Sequence, residues 1–192
     1  MAWQVPPRAT ACRGPEAATG RRQSHRSTVT PNVSAPQSEL ETAVTITRAS
    51  ADDLGGVLRL LESLQLPTAG VTDHLGDFFI AKERDGRLTG AIGLERYGTL
   101  GLLRSAAVAP GLQNSGVGSK LARLLIAFAR AEGLTELVLF TPSARAFFAR
   151  FGFVPANRED YRAQLMASSQ WGDCSCRNSA EFMQLDLSRT QH

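Results

Sequence analysis

Apolar positions begin to repeat near residue 44 and keep a period for most of the remaining chain. Val44-Thr45-Ile46-Thr47 alternates apolar and polar, as a half-buried strand does. Asp52 and Asp53 then open a set at Leu54, Val57, Leu58, Leu61 and Leu64, and this spacing predicts a helix. Residues 65–73, QLPTAGVTD, hold Pro67 and Gly70 and predict a loop. Strands are predicted over 78–82 and 88–94, joined by the hairpin signal Asp85-Gly86. A third consecutive strand runs over 100–108 and is closed by Pro110. A helix follows over 116–132, then a strand over 136–140, a helix over 144–151 and a short strand over 152–155. A further helix is expected over 157–168, and residues 181–187 form the last strand.

The order is β-α-β-β-β-α-β-α-β, with an extra helix before the last strand. Consecutive strands imply antiparallel pairing, and a strand–helix–strand unit implies a parallel crossover. The fold class expected is therefore α/β (α+β), a mixed sheet covered by helices. With 192 residues, 43% of them hydrophobic, the chain suits one compact domain, expected over 43–192.

Residues 1–42 break the pattern. They are rich in Pro, Ser, Thr and Arg and lack the apolar surface needed to offset ordering entropy, so a disordered tail is expected. Its Arg-rich, acid-poor start also resembles an organelle transit peptide. Five arginines against three glutamates there account for two of the chain's three net positive charges. The remainder is nearly neutral, which argues against a nucleic-acid-binding domain. The longest apolar stretch, 121–131, is interrupted by Arg123 and Arg130 and is far too short to span a bilayer. Three cysteines, Cys12, Cys174 and Cys176, cannot build a disulfide framework, and a reducing cytoplasm fits them best.

The chemistry concentrates in Arg104-Ser-Ala-Ala-Val-Ala-Pro-Gly-Leu-Gln-Asn-Ser-Gly-Val-Gly-Ser-Lys. A strand ends, a loop with Gly111, Gly116 and Gly118 follows, and an amphipathic helix starts. The first turn of a helix presents unpaired N–H groups and the positive end of its dipole. Glycines let that backbone approach a bulky anion, and a diphosphate suits such a turn. The Rossmann G-x-G-x-x-G spacing is absent. The Walker pattern fails because Val117 stands where Lys is required after Gly111 and Gly116.

Gln113-Asn114-Ser115-Gly116-Val117-Gly118 does match the [QR]-x-x-G-x-[GA] pyrophosphate loop of GNAT acetyltransferases. Ala144-x-x-Phe147-Phe148-x-x-x-Gly152-Phe153 follows after a strand, as it does in that family. The chain resembles GNAT domains from Val44 to about Leu187. It looks most similar to the arsenic-resistance N-acetyltransferase branch, through Leu66-Pro67-Thr68-Ala69, Asp73-His74-Leu75, Phe78-Phe79, Gly93-Leu94-Glu95-Arg96-Tyr97-Gly98, Leu103-Arg104-Ser105 and Cys176-x-x-Ser179-Ala180. The resemblance implies a mostly antiparallel mixed sheet flanked by helices, acetyl-CoA as co-substrate and no metal. It implies that the backbones of Ala106, Ala107 and Val108 pair with the pantetheine arm, and that Gln113 to Ser119 hold the pyrophosphate. One N–H of the strand would polarise the thioester carbonyl.

An amine nucleophile must lose a proton, and Glu95 is the candidate acceptor; the plainer reading makes it the first exposed residue beyond its strand. Arg104 interrupts an apolar strand, where a charge is costly unless paired or exposed. It serves either as a clamp on a substrate carboxylate, phosphinate or arsinate, or as the ion-pair partner of Glu95. Asp73 and His74 follow a loop that in GNATs folds over the acceptor, and both are candidate substrate ligands; a loop His is more often surface polar. Where many relatives carry a proton-donating Tyr, this chain has Phe148, which cannot donate. Cys174-Ser-Cys176 has no second pair of ligands nearby and is weak for zinc; a trivalent arsenical bridged by the two thiols is a further, weaker reading.

The function expected is acetyl transfer to the amino group of a small amino-acid-like acceptor, including phosphinic or arsinic glutamate analogues. Protein N-termini, polyamines and aminoglycosides are the alternative acceptors, and a non-catalytic acyl-CoA sensor is the alternative class. A homodimer through edge strands is compatible with the resemblance.

Overall fold

The computed structural model describes residues 44–172 and 180–188. Its strands are β1 (Thr45–Arg48), β2 (Phe79–Lys82), β3 (Leu88–Tyr97), β4 (Leu100–Val108), β5 (Glu136–Thr141), β6 (Val154–Pro155) and β7 (Glu181–Asp186). Its helices are α1 (Leu54–Ser63), α2 (Val71–His74), α3 (Val117–Ala131), α4 (Arg145–Ala149), α5 (Arg162–Leu165) and α6 (Ser169–Gly172). The strands make one sheet in the order β1-β2-β3-β4-β5-β7-β6. Every pair is antiparallel except β4 with β5, because α3 carries the chain back across the sheet before β5 begins.

Period-two alternation splits the strands between two apolar layers. Ile92, Leu94, Leu103, Leu137, Leu139 and Met183 face α3 and α4. Helix α3 meets them with Val117, Leu121, Ala122, Leu125, Ile126 and Ala129, a stripe of three-, four- and one-residue steps that keeps one face inward. On the other side, α1 and α2 cover Ile80, Ala91 and Ala107. The segment carrying α5 and α6 covers Leu100, Leu102, Val138 and Phe182. Two glycines set the spacing of the layers. A Cβ at Gly93 would meet the Phe78 ring at 2.3 Å, and one at Gly101 would meet Leu137 at 2.6 Å.

Three sequence expectations change. Strand β3 runs on to Tyr97 rather than ending at Leu94, so Glu95 lies inside the sheet and is buried, not the first exposed residue beyond it. The expected loop 65–73 contains the start of α2, entered through Gly70 at φ +75°, a value that glycine adopts without a Cβ clash. The helix expected over 157–168 is broken into a 3-10 turn at Arg158–Tyr161 and the single turn of α5. The Asn157 side chain accepts from Glu159 N at 3.3 Å, and Tyr161 donates its hydroxyl toward Glu136 and Gln184. These bonds to β5 and β7 fix the turn to the sheet where a continuous helix would carry Tyr161 away.

Candidate active site

Strands β4 and β5 pair from Leu100 with Glu136 to Leu103 with Leu139, and no further. Beyond that rung β4 stays with β3, while β5 continues beside β7 through Phe140 and Thr141. The two parallel strands therefore open a wedge whose β4 side is Arg104 to Val108. A bulge sits at its start: Ala91 pairs with Ala107 and Gly93 with Arg104, so Ser105 and Ala106 together oppose Ile92. Ser105 holds φ +55°, a left-handed conformation that costs a non-glycine residue about 1–2 kcal/mol. Strain of this kind persists only where surrounding structure imposes it, and a bulge re-aims the groups around it.

The wedge leads to the start of α3. Gly116 is the N-cap at φ +86°, with no side-chain cap, and intrahelical bonding begins with Lys120 N donating to Gly116 O at 3.0 Å. The N–H groups of Val117, Gly118 and Ser119 thus precede the first helical bond. A cavity of about 430 Å³ lies against them, lined by Val108, Asn114, Gly116, Gly118, Phe147 and Arg150. Its continuation between Ala106, Ala107, Val108 and Phe148 is narrow and apolar. Uncapped N–H groups, a helix dipole and Arg150 suit a diphosphate, and the apolar continuation along an unpaired strand suits a pantetheine arm. The residues present therefore fit coenzyme A.

Glu95 and Arg104 stand on the opposite face of the sheet. Their side chains are 1% and 0% exposed, and Arg104 Nη1 donates to Glu95 Oε1. The guanidinium also donates from Nη2 to Ala69 O at 2.6 Å and from Nε to Ser105 Oγ at 3.3 Å. The other Glu95 oxygen accepts from the Tyr97 hydroxyl at 2.5 Å. Burial first, and then this bond to a carboxylate, push the Tyr97 phenol up to about 12, because both disfavour the phenolate. Ser169 Oγ donates to the same Ala69 carbonyl at 3.0 Å. A Cβ on Gly70 would touch both Ser169 Oγ and Arg104 Nη1. The Pro67–Gly70 turn, the β3–β4 pair and α6 thus converge on one buried ion pair.

The sequence candidates divide accordingly. Asn114, Gly116, Gly118 and Ser119 line the cavity and Ala106 to Val108 its continuation, whereas Gln113, Ser115 and Val117 do not line it; Glu95 is joined to Arg104. Asp73 is exposed and His74 half-buried on α2, and among the described residues neither is hydrogen-bonded or ion-paired to Glu95 or Arg104. Phe148 is buried, edge-to-face with Phe147 and Phe153. Thr141 Oγ1 accepts from Ala144 N at 2.8 Å and so caps the start of α4. Cys174 and Cys176 fall outside the described residues. Sequence reasoning did not assign roles to Tyr97 or Arg150. Tyr97 follows Glu95 by two residues and so shares its face of a strand, and Arg150 follows Phe147 by one helical turn, so periodicity held both signals.

A model of the acetyltransferase (GNAT) family matches residues 51–153. An amino-acid acetyltransferase of Ralstonia nicotianae is 32% identical over an alignment of 121 residues that covers 58% of this chain. The chain spans 27% of the length of that relative. Among solved structures, a GNAT-family acetyltransferase of Staphylococcus aureus superposes with a TM-score of 0.64 at 20% identity, over 76% of this chain and 99% of that one. N-acetylglutamate synthase of Neisseria gonorrhoeae, complexed with coenzyme A and N-acetyl-glutamate, gives 0.60 at 25% identity over 76% of this chain and 35% of that one. With more than half of its length matched by the family model, the chain belongs to the acetyltransferase (GNAT) family.

Proposed function

We propose that this protein transfers the acetyl group of acetyl-CoA to the amino group of a small amino-acid-like acceptor. The observation that carries the reading is the wedge between β4 and β5, open beyond Leu103 and Leu139 and continuous with the uncapped start of α3. Coenzyme A enters from the α3 and α4 side, with its diphosphate on Gly116 to Ser119 and its arm along Ala106 to Val108. The acceptor comes from the opposite face, where Glu95 is the one buried carboxylate among the described residues. The amine attacks the thioester carbon, the C–S bond breaks, and the nitrogen loses a proton. In this reading Glu95 is the proton sink, reached through the Tyr97 hydroxyl. Arg104 pairs with Glu95 and fixes the Ala69 turn. The thiolate leaves without a tyrosine donor at Phe148, which its pKa near 8.5 permits.

Likeness to an amino-acid acetyltransferase and to a synthase solved with N-acetyl-glutamate supports an amino-acid acceptor. Glutamate and its phosphinic and arsinic analogues head the acceptor panel, in keeping with the arsenic-resistance resemblance. The competing reading, an acyl-CoA-binding module without turnover, draws on Phe148 and on the engagement of both Glu95 oxygens. Free-thiol release from acetyl-CoA decides between them. Turnover on an amino-acid-like acceptor is expected; acetyl-CoA binding without thiol release on any amine establishes the module.

A further inference from the structure

Three of the five Arg104 N–H donors are taken by Glu95, Ala69 and Ser105, and its charge is already paired with Glu95. Another arginine lies on the same face of the sheet. Arg158 lies in the corner where the Phe140 and Trp171 rings meet at 66°. Its guanidinium carbon is 4.4 Å from the Trp171 centroid and 5.4 Å from that of Phe140. Among the described residues the guanidinium makes no hydrogen bond, and its buried Nε is unpartnered. Among the described residues the one acid ion-paired with it is Glu159, at 3.8 Å from Nε, which is too far for a hydrogen bond. Ring stacking holds the flat of a guanidinium and leaves its N–H edges for a planar oxyanion.

Its position relates it to the reaction. Leu103 pairs with Leu139 at the last closed rung, so Arg104 and Phe140 are the next residues on the two sides of the wedge. Both point to the face that α6 covers, away from the coenzyme cavity. An arginine resting on Phe140 therefore stands at the acceptor's side of the wedge mouth.

We propose that Arg158, held in the Phe140–Trp171 corner, binds the carboxylate of the acceptor and so selects amino acids over simple amines. The inference rests on the amino-acid reading given above and adds the residue that reads the acid group. Loss of a charge-assisted hydrogen-bonded pair corresponds to about a 10- to 100-fold change in affinity.

The test compares an amino acid that the wild type acetylates with its carboxamide, in the wild type, Arg158→Gln and Arg158→Lys. Acetyl-CoA KM serves as the check on fold. In Arg158→Gln the acceptor KM should rise about 10- to 100-fold for the acid and stay within about twofold for the amide, at unchanged acetyl-CoA KM. Arg158→Lys, which keeps the charge but loses the fork, should fall between. If Arg158→Gln does not bind acetyl-CoA, the lysine variant alone decides, and an unchanged preference for acid over amide overturns the assignment. Equal preference in the wild type and Arg158→Gln overturns it while leaving the amino-acid reading intact. A wild type that acetylates no amino acid overturns both.

Discussion

Arg104 joins Glu95 to the carbonyl of Ala69 through one buried guanidinium. Removing one partner of a buried pair leaves the other charge uncompensated, at a cost of about 3–5 kcal/mol. Arg104→Ala should therefore lower stability by about that amount in urea unfolding, and should also loosen the turn at residues 67–70. The double change Arg104→Met with Glu95→Met removes both charges and should restore much of the loss. A denaturation midpoint unmoved by Arg104→Ala would show that the pair does not hold these elements together.

Glu95→Gln separates chemistry from packing. The amide keeps an acceptor for Arg104 and nearly the same volume, so stability should fall less than in Arg104→Ala. In the role proposed for it, as the proton sink, Glu95 should contribute about 10²–10⁴-fold to turnover. The kcat of Glu95→Gln should drop by at least about 100-fold, with acetyl-CoA KM unchanged. A kcat within a fewfold of wild type would assign the proton elsewhere.

The chain has two tyrosines, and both phenols are held above their ordinary value of about 10. Burial is the first cause for each, followed by a carboxylate acceptor, Glu95 for Tyr97 and Glu136 for Tyr161. A phenol with a raised folded-state pKa stabilises the fold fully below pH 10, and that contribution is lost as pH rises toward 12 for Tyr97. Tyrosinate absorbance should therefore not appear near pH 10 in the folded protein. It should develop above that pH together with unfolding, and Tyr97→Phe should remove part of the alkaline loss. One tyrosine titrating at its ordinary value while the protein stays folded would contradict the Glu95–Tyr97 bond or the Glu136–Tyr161 bond.

Much of this was legible because local rules and tertiary contacts agree. The stripe from Val117 to Ala129 is a helix by spacing and buries the same face it predicted, and Ala106 to Ser119 reads as strand, loop and helix start. Legibility ended where contacts distant in sequence decide. Nothing near Glu95 says that its strand continues to Tyr97, because the burial of Glu95 depends on Arg104 nine residues on and on Ala69 before it. Tyr161 interrupts the expected 157–168 helix through bonds to Glu136 and Gln184, which local propensity cannot register. Arg158 reads as one more surface charge until Phe140 and Trp171 are seen to converge on it.

Gly93 is required by sterics rather than by its backbone angle. Its missing Cβ would lie 2.3 Å from the Phe78 ring, directly opposite Arg104 in the sheet. Gly93→Ala should destabilise by about 1–3 kcal/mol, as overpacking does, and Phe78→Leu in the same chain should recover part of it. Additive losses in that double-mutant cycle would show that the two positions do not meet.

Gly118 tests the route of coenzyme A. A Cβ there would sit in ordinary contact, 3.5 Å from Val108 and 3.6 Å from Phe147, so alanine fits without strain. The two further methyl carbons of valine have only the cavity to occupy. Gly118→Val should therefore keep nearly wild-type thermal stability while raising acetyl-CoA KM by at least about tenfold, since 1.4 kcal/mol of lost contact suffices for that. Gly118→Ala should fall within about threefold, and the acceptor KM should move with neither change. A valine variant that binds acetyl-CoA normally would place the coenzyme outside this cavity and undo the assignment of the α3 start to its diphosphate.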